Sequence, residues 1–146
     1  MREDLLLKIG SILDLPLQSA KPLDGPQEEA LYGTAFAFYE VGSYAKGAQL
    51  FTQLLLSDPF ASRYWKGLAA CRQLMGEYTA SLHAWGLLAL LQDGDPLPHF
   101  HAAECLLSLN EDQEAFKALD AAKMCLKDRS DDELSEKIEL LRGQHA

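Results

Sequence analysis

Valine occurs once in this 146-residue chain, at Val41, and threonine is nearly as scarce. Strands favour β-branched side chains, so their rarity, beside abundant alanine and leucine, excludes a β-rich fold and predicts an all-α one. Cysteine is sparse as well. Cys71, Cys105 and Cys125 form no Cys-x-x-Cys pair, and an odd number excludes a disulfide framework and suits a reducing compartment, the cytoplasm. Positive charge is thin: 13 Lys and Arg stand against 22 Asp and Glu, for a net charge of -9, and no basic cluster interrupts the balance. Phosphate binding needs concentrated positive charge, so no nucleic-acid partner is expected. The apolar stretch from Leu82 to Gln92, punctuated by His83, is too short to cross a bilayer, and no direct membrane insertion is expected. The opening Met-Arg-Glu-Asp leads into no signal-like apolar core, so export through a cleaved signal is not expected either. The length fits one domain.

What the chain does have is a period. Aligned with itself at an offset of 34, it gives three blocks, residues 28–61, 62–95 and 96–129, without any insertion. Ala35, Ala69 and Ala103 coincide, as do Gly42, Gly76 and Asn110; Gly47, Ser81 and Ala115; and Phe51, Trp85 and Leu119. Small residues recur where helices touch, large apolar ones where a core is filled, and Gly or Asn where a helix ends in a left-handed residue. A 34-residue period with this pattern is the tetratricopeptide signature, a helix-turn-helix repeat. The second block carries it best, through Trp65-x-x-Leu68-Ala69, Gly76, Tyr78, Ser81 and Trp85; Pro59 stops the second helix of the first block. The expected architecture is an α-solenoid of three tetratricopeptide repeats with helices at both ends.

Before the repeats, residues 4–15 predict a short amphipathic helix whose apolar face is Leu5, Leu6, Ile9, Ile12 and Leu13. Pro16, Pro22, Gly25 and Pro26 mark residues 16–27 as an extended linker, completing an N-terminal segment of 1–27. After the repeats, residues 130–146 hold a capping helix over 131–142 with a stripe of Leu134, Ile138 and Leu141. Its acidic start, Asp131, Asp132 and Glu133, suits a helix N-terminus.

In stacked repeats of this kind the first helices line a concave groove, at roughly the second, fifth, ninth and twelfth positions of each block. These are Glu29, Tyr32, Phe36 and Tyr39 in the first block and Arg63, Lys66, Ala70 and Gln73 in the second. In the third they are Leu97, Phe100, Glu104 and Leu107. Tyr32, Phe36 and Tyr39 share one helical face, while Leu31, Ala35 and Phe38 on the neighbouring face already supply the repeat's own core. The surplus of aromatics reads as a peptide-binding stripe, since rings bury much area at little entropic cost. The competing expectation is that the N-terminal helix or linker covers the rings.

Residues 28–126 also resemble the class II chaperones of bacterial type III secretion, the tetratricopeptide proteins that hold translocator subunits before export. The resemblance lies in Leu31-Tyr32-x-x-x-Phe36-x-x-Tyr39, in Ala61-Ser62-Arg63-Tyr64-Trp65-x-Gly67-Leu68-x-Ala70-Cys71-Arg72-Gln73, and in Phe100-His101-Ala102-Ala103-Glu104-Cys105. It implies a bacterial cytoplasmic chaperone that binds an extended N-terminal segment of a hydrophobic translocator, of Pro-x-Leu-x-x-Pro type, in the concave groove. It further implies that Tyr32, Phe36 and Tyr39 form pockets for the segment's apolar side chains. Groove position assigns Arg63, Lys66 and Gln73 to the segment's backbone or acidic groups, with Ala70, Phe100 and Glu104 along the same wall. Family members often self-associate through the N-terminal helix, which makes Leu5, Leu6, Ile9, Ile12 and Leu13 a candidate homodimer face.

Other chemistries fit less well. His99 and His101 point about 200° apart on a helix and cannot chelate one ion, so no metal is expected. Cys71 and Cys105 occupy equivalent repeat positions, the mark of small residues in packed helices. The sequence carries no Ser-His-Asp, paired-carboxylate or phosphate-loop pattern, and neither an enzyme nor a cofactor is expected. Two adaptor roles compete with the chaperone. A co-chaperone that clamps a C-terminal carboxylate needs Lys and Asn where Tyr32 and Phe36 stand, and chaperones of needle subunits are generally shorter.

Overall fold

A computed structural model describes residues 2–14, 22–127 and 131–145. The described residues form eight α-helices and no strand: α1 (Arg2–Leu13), α2 (Gly25–Glu40), α3 (Tyr44–Ser57), α4 (Ser62–Leu74), α5 (Tyr78–Leu91), α6 (Pro96–Ser108), α7 (Asp112–Cys125) and α8 (Asp132–His145). The six central helices pair as hairpins, α2 with α3, α4 with α5 and α6 with α7. Each hairpin also packs on the next, α3 against α4 and α5 against α6, as a solenoid requires.

The turn inside each hairpin repeats one solution. Gly42, Gly76 and Asn110 stand at φ of 84°, 79° and 62°, the left-handed region that Gly enters freely and Asn more readily than most residues. The following N–H then reaches back to close the helix end, from Ser43 to the Phe38 carbonyl (2.8 Å), Glu77 to Arg72 (2.9 Å) and Glu111 to Leu106 (2.8 Å). This is a Schellman closure made three times at the same repeat position.

Small residues decide how closely successive hairpins approach. Cys71 on α4 faces Gly47 on α3, where an added Cβ would lie 3.1 Å from the Cys71 sulfur. One repeat later, Cys105 on α6 faces Ser81 on α5, with Sγ 3.6 Å from Oγ. Ser81 is fully buried and donates to the Ala69 carbonyl at 2.7 Å, so its hydroxyl is satisfied. Burial pushes the Cys71 thiol up to about 11 and raises Cys105 too, which keeps both as neutral packing groups.

One expectation at the N-terminal end is corrected. Gly25 and Pro26, read as linker, form the first turn of α2. Asp24 accepts from the Gln27 N–H (2.8 Å) while the Gln27 side chain accepts from the Asp24 N–H (3.1 Å). With this capping box in place, Pro26 sits where a helix has no use for its missing N–H. Within the expected linker, residues 16–21 lie outside the described residues, as do residues 128–130 at the end of the third block. The residues of the candidate dimer face have a place within the chain. α1 lies on α5 of the same chain, with Ile9 and Leu13 in its core and Leu5 and Ile12 packed against that core; Leu6 is half-buried. Self-association through this face would require α1 to leave α5.

At the other end, α8 covers the last hairpin. Leu134 and Ile138 are buried with Ala103, Leu119 and Ala122, and Leu141 packs at their edge. Asp131 accepts from the Leu134 N–H at 3.0 Å and so caps the helix. Arg142 pairs with Asp120, donates to the Phe116 carbonyl at 3.3 Å and stacks over the Phe116 ring. Lys123 and Glu139 add a second pair between α7 and α8.

Candidate functional site

The three aromatics of α2 form a continuous ledge. The Tyr32 and Phe36 ring centroids are 6.2 Å apart and stacked, and Phe36 and Tyr39 are 5.9 Å apart and tilted. Other helices support the ledge from behind. Tyr32 meets Phe51 edge-on at 6.0 Å and lies 5.7 Å from Tyr64, while Tyr39 meets Tyr44 at 6.0 Å. Tyr32 and Tyr39 are therefore half-buried, and Phe36 between them is 45% exposed. Because α1 lies on α5, it does not cover these rings.

Sequence reasoning missed the supports, Phe51, Tyr64 and Tyr44. One signal for Phe51 was available. Gly67 stands inside α4, and a Cβ there would fall 2.4 Å from the Phe51 ring, so the glycine is the space into which that ring packs. Phe51 is buried on one side by α4 and presents its edge to Tyr32 on the other.

Arg63 joins the ledge in a different manner from that expected. Its guanidinium lies 4.3 Å from the Tyr32 ring centroid and 5.1 Å from that of Tyr64. It also bonds Glu29 at 2.5 Å and the Tyr64 hydroxyl at 3.3 Å. The Glu29 carboxylate, and after it the Tyr64 hydroxyl, hold the guanidinium above its ordinary pKa. Arg63 thus keeps an aromatic plane at its face and an acid at its edge, and closes one end of the ledge. Lys66 is exposed one turn further along α4, and Ala70 is half-buried beyond it.

The far part of the wall differs from the sequence expectation. Gln73 does not stand free for a ligand: its Oε1 accepts from the Trp85 indole N–H at 2.8 Å and its Nε2 donates to Glu104 at 3.2 Å. Glu104 also bonds His101 Nδ1 at 2.6 Å, and the His101 ring stacks on Trp85 at 4.6 Å. Trp85, Gln73, Glu104 and His101 make a closed ring of contacts between the second and third hairpins. Phe100 is only 7% exposed and belongs to the buried cluster of Ala103, Leu107 and Leu119. Phe100 turns inward to fill the third hairpin's core, with Phe116 of α7 packed against the same cluster, instead of lining the groove. Among the described residues, no group of three His, Cys, Asp or Glu is placed to hold a metal ion.

A hairpin solenoid of period 34 with an aromatic ledge on its first helix, flanked by an anchored arginine and an exposed lysine, is a tetratricopeptide repeat protein. No protein-family profile matches the sequence. The chain is 38% identical over 111 residues to the low calcium response locus protein H of Yersinia pestis, a match that covers 75% of this chain and 66% of that relative. Its fold matches the crystal structure of the Yersinia enterocolitica type III secretion chaperone SycD in complex with a peptide of the translocator YopD. The TM-score is 0.78 at 34% identity, covering 83% of this chain and 93% of SycD. It also matches PcrH of Pseudomonas aeruginosa in complex with the chaperone binding region of PopD, with a TM-score of 0.78 at 28% identity, covering 84% and 92% of the two chains. The chain belongs to the class II translocator chaperones of type III secretion. Among its described residues, no helix is long and apolar enough to cross a membrane.

Proposed function

We propose that this chain is a bacterial cytoplasmic chaperone that holds the hydrophobic translocators of a type III secretion system, keeping them soluble and competent for export. The observation that carries this reading is Phe36, an exposed aromatic fixed between two half-buried tyrosines on the first repeat. The crystal structures of SycD with a YopD peptide and of PcrH with the chaperone binding region of PopD support this cargo class. A translocator carries membrane-seeking segments that aggregate in water unless covered. An extended segment near its N-terminus, of Pro-x-Leu-x-x-Pro type, would lay its apolar side chains on Tyr32, Phe36 and Tyr39, with Lys66 available for an acidic group.

The energetics suit a carrier. Ordering a disordered segment costs part of the gross interaction, so the complex is firm enough to protect and weak enough to release at the export gate. The net charge of -9 keeps the loaded complex soluble. Co-purification with a co-expressed translocator, comparing the wild type with a Tyr32→Ala, Phe36→Ala, Tyr39→Ala variant, tests the reading. Loss of co-purification by a variant that retains its helical circular dichroism is the expected outcome; undiminished binding would sink the groove assignment.

A further inference from the structure

The 34-residue register places one residue of each first helix on a common line across the groove. At its twelfth position this line runs through Tyr39, Gln73 and Leu107, and α8 extends it with Leu141. At the Gln73–Glu104 bond the groove opens into a cleft of about 410 Å3, lined by Leu74, Leu107 and Leu141 together with the polar Gln73, Glu104, Ser108 and His145. Leu74 is 53% exposed, a large apolar side chain with no core role on this side of α4. The cleft exists because α8 occupies the place of a fourth first helix and contributes Leu141.

We propose that this cleft is a second subsite for the same extended cargo segment, its three leucines taking one leucine-sized side chain. The inference rests on the groove reading above, since continuity with the aromatic ledge is what identifies the occupant. Its dimensions set a spacing. Packed helices lie 8–10 Å apart, so two helix steps from Tyr39 to the cleft span roughly 20 Å. An extended chain covers 3.3–3.6 Å per residue, which puts the second side chain about six residues from the one seated on Tyr39. Gln73 and Glu104, bonded to each other, form the polar wall of the cleft on its Tyr39 side.

The test uses the full chain and a series of synthetic peptides, each a Pro-x-Leu-x-x-Pro core in an otherwise Gly/Ser sequence, with one added Leu three to ten residues from either end of the core. Affinity measured by fluorescence anisotropy should peak, about tenfold above the bare core, when the added Leu is about six residues from the core on one side. Leu74→Asp, at a half-exposed site, should abolish that peak and leave the bare core bound as before; Leu141→Ala should lower the peak. A flat profile in the wild type, or a Leu74→Asp loss shared equally by the bare core, overturns the second subsite. Unchanged binding of the bare core by the triple variant of Tyr32, Phe36 and Tyr39 would instead refute the groove reading itself.

Discussion

Arg63 and Glu29 stand one repeat apart, at the same position of α4 and α2, and bond at 2.5 Å across the mouth of the groove. Two residues that the period aligns are joined by the fold. The pair is solvent-exposed, so its Coulomb term is weak, and the guanidinium also lies on the Tyr32 ring.

Arg63→Ala is therefore expected to lower stability by less than about 1 kcal/mol in urea denaturation. It should nevertheless weaken cargo binding, because Tyr32 loses the group that fixes its outer face. Glu29→Ala should leave cargo affinity nearly unchanged. A variant of Arg63 that unfolds the first hairpin would contradict this ranking.

Gly67→Ala tests the support of the ledge. Alanine improves helix propensity by about 1 kcal/mol, whereas overpacking a filled core costs about 1–3 kcal/mol. With the Phe51 ring 2.4 Å from the new Cβ, overpacking should win. The expected result is a lower melting temperature together with an altered near-ultraviolet signal from the displaced aromatics; a stabilised protein would show that Phe51 moves freely.

Ile9→Ala distinguishes a core role for α1 from an intermolecular one. Ile9 is fully buried against the chain's own helices. Its truncation should destabilise the protein by about 2–5 kcal/mol by leaving a cavity. Size-exclusion chromatography at constant stability but changed oligomeric state would argue for the dimer face instead.

Thiol chemistry reports the inter-repeat contacts. The Cys71 thiol is pushed up to about 11 by burial, above the roughly 8.5 of an unfolded cysteine. Between those values the unfolded chain releases a proton that the folded one keeps, so this contribution to stability, complete below pH 8.5, declines as pH rises towards 11. Urea midpoints at pH 8 and pH 10 should fall less in Cys71→Ala than in the wild type. Half-buried Cys125 should react with a thiol reagent ahead of buried Cys71 and Cys105.

The helices were legible in the sequence because each repeat writes its turn and its contacts in the same places. Gly42, Gly76 and Asn110 announced the left-handed turns, and the Gly47–Cys71 and Ser81–Cys105 positions announced close approach. Tyr32, Phe36 and Tyr39 were legible as a surplus over what one hairpin core can absorb. The start of α2 was misread because Pro26 signals a loop and a first helical turn equally; only the Asp24–Gln27 capping box distinguishes them.

The sequence by itself determined the period, the all-helical class and the stripe of aromatics, since each depends on spacing along the chain. The tertiary structure alone decided which polar side chains stay free. Gln73 and Arg63 are groove residues by register, yet Trp85 and Glu104 occupy the first and Glu29 the second. It also decided that Phe100 turns inward, that α1 rests on α5, and that α8 opens a cleft at Leu141. Those outcomes depend on which helices become neighbours and how much volume they leave, quantities that spacing along a chain does not contain.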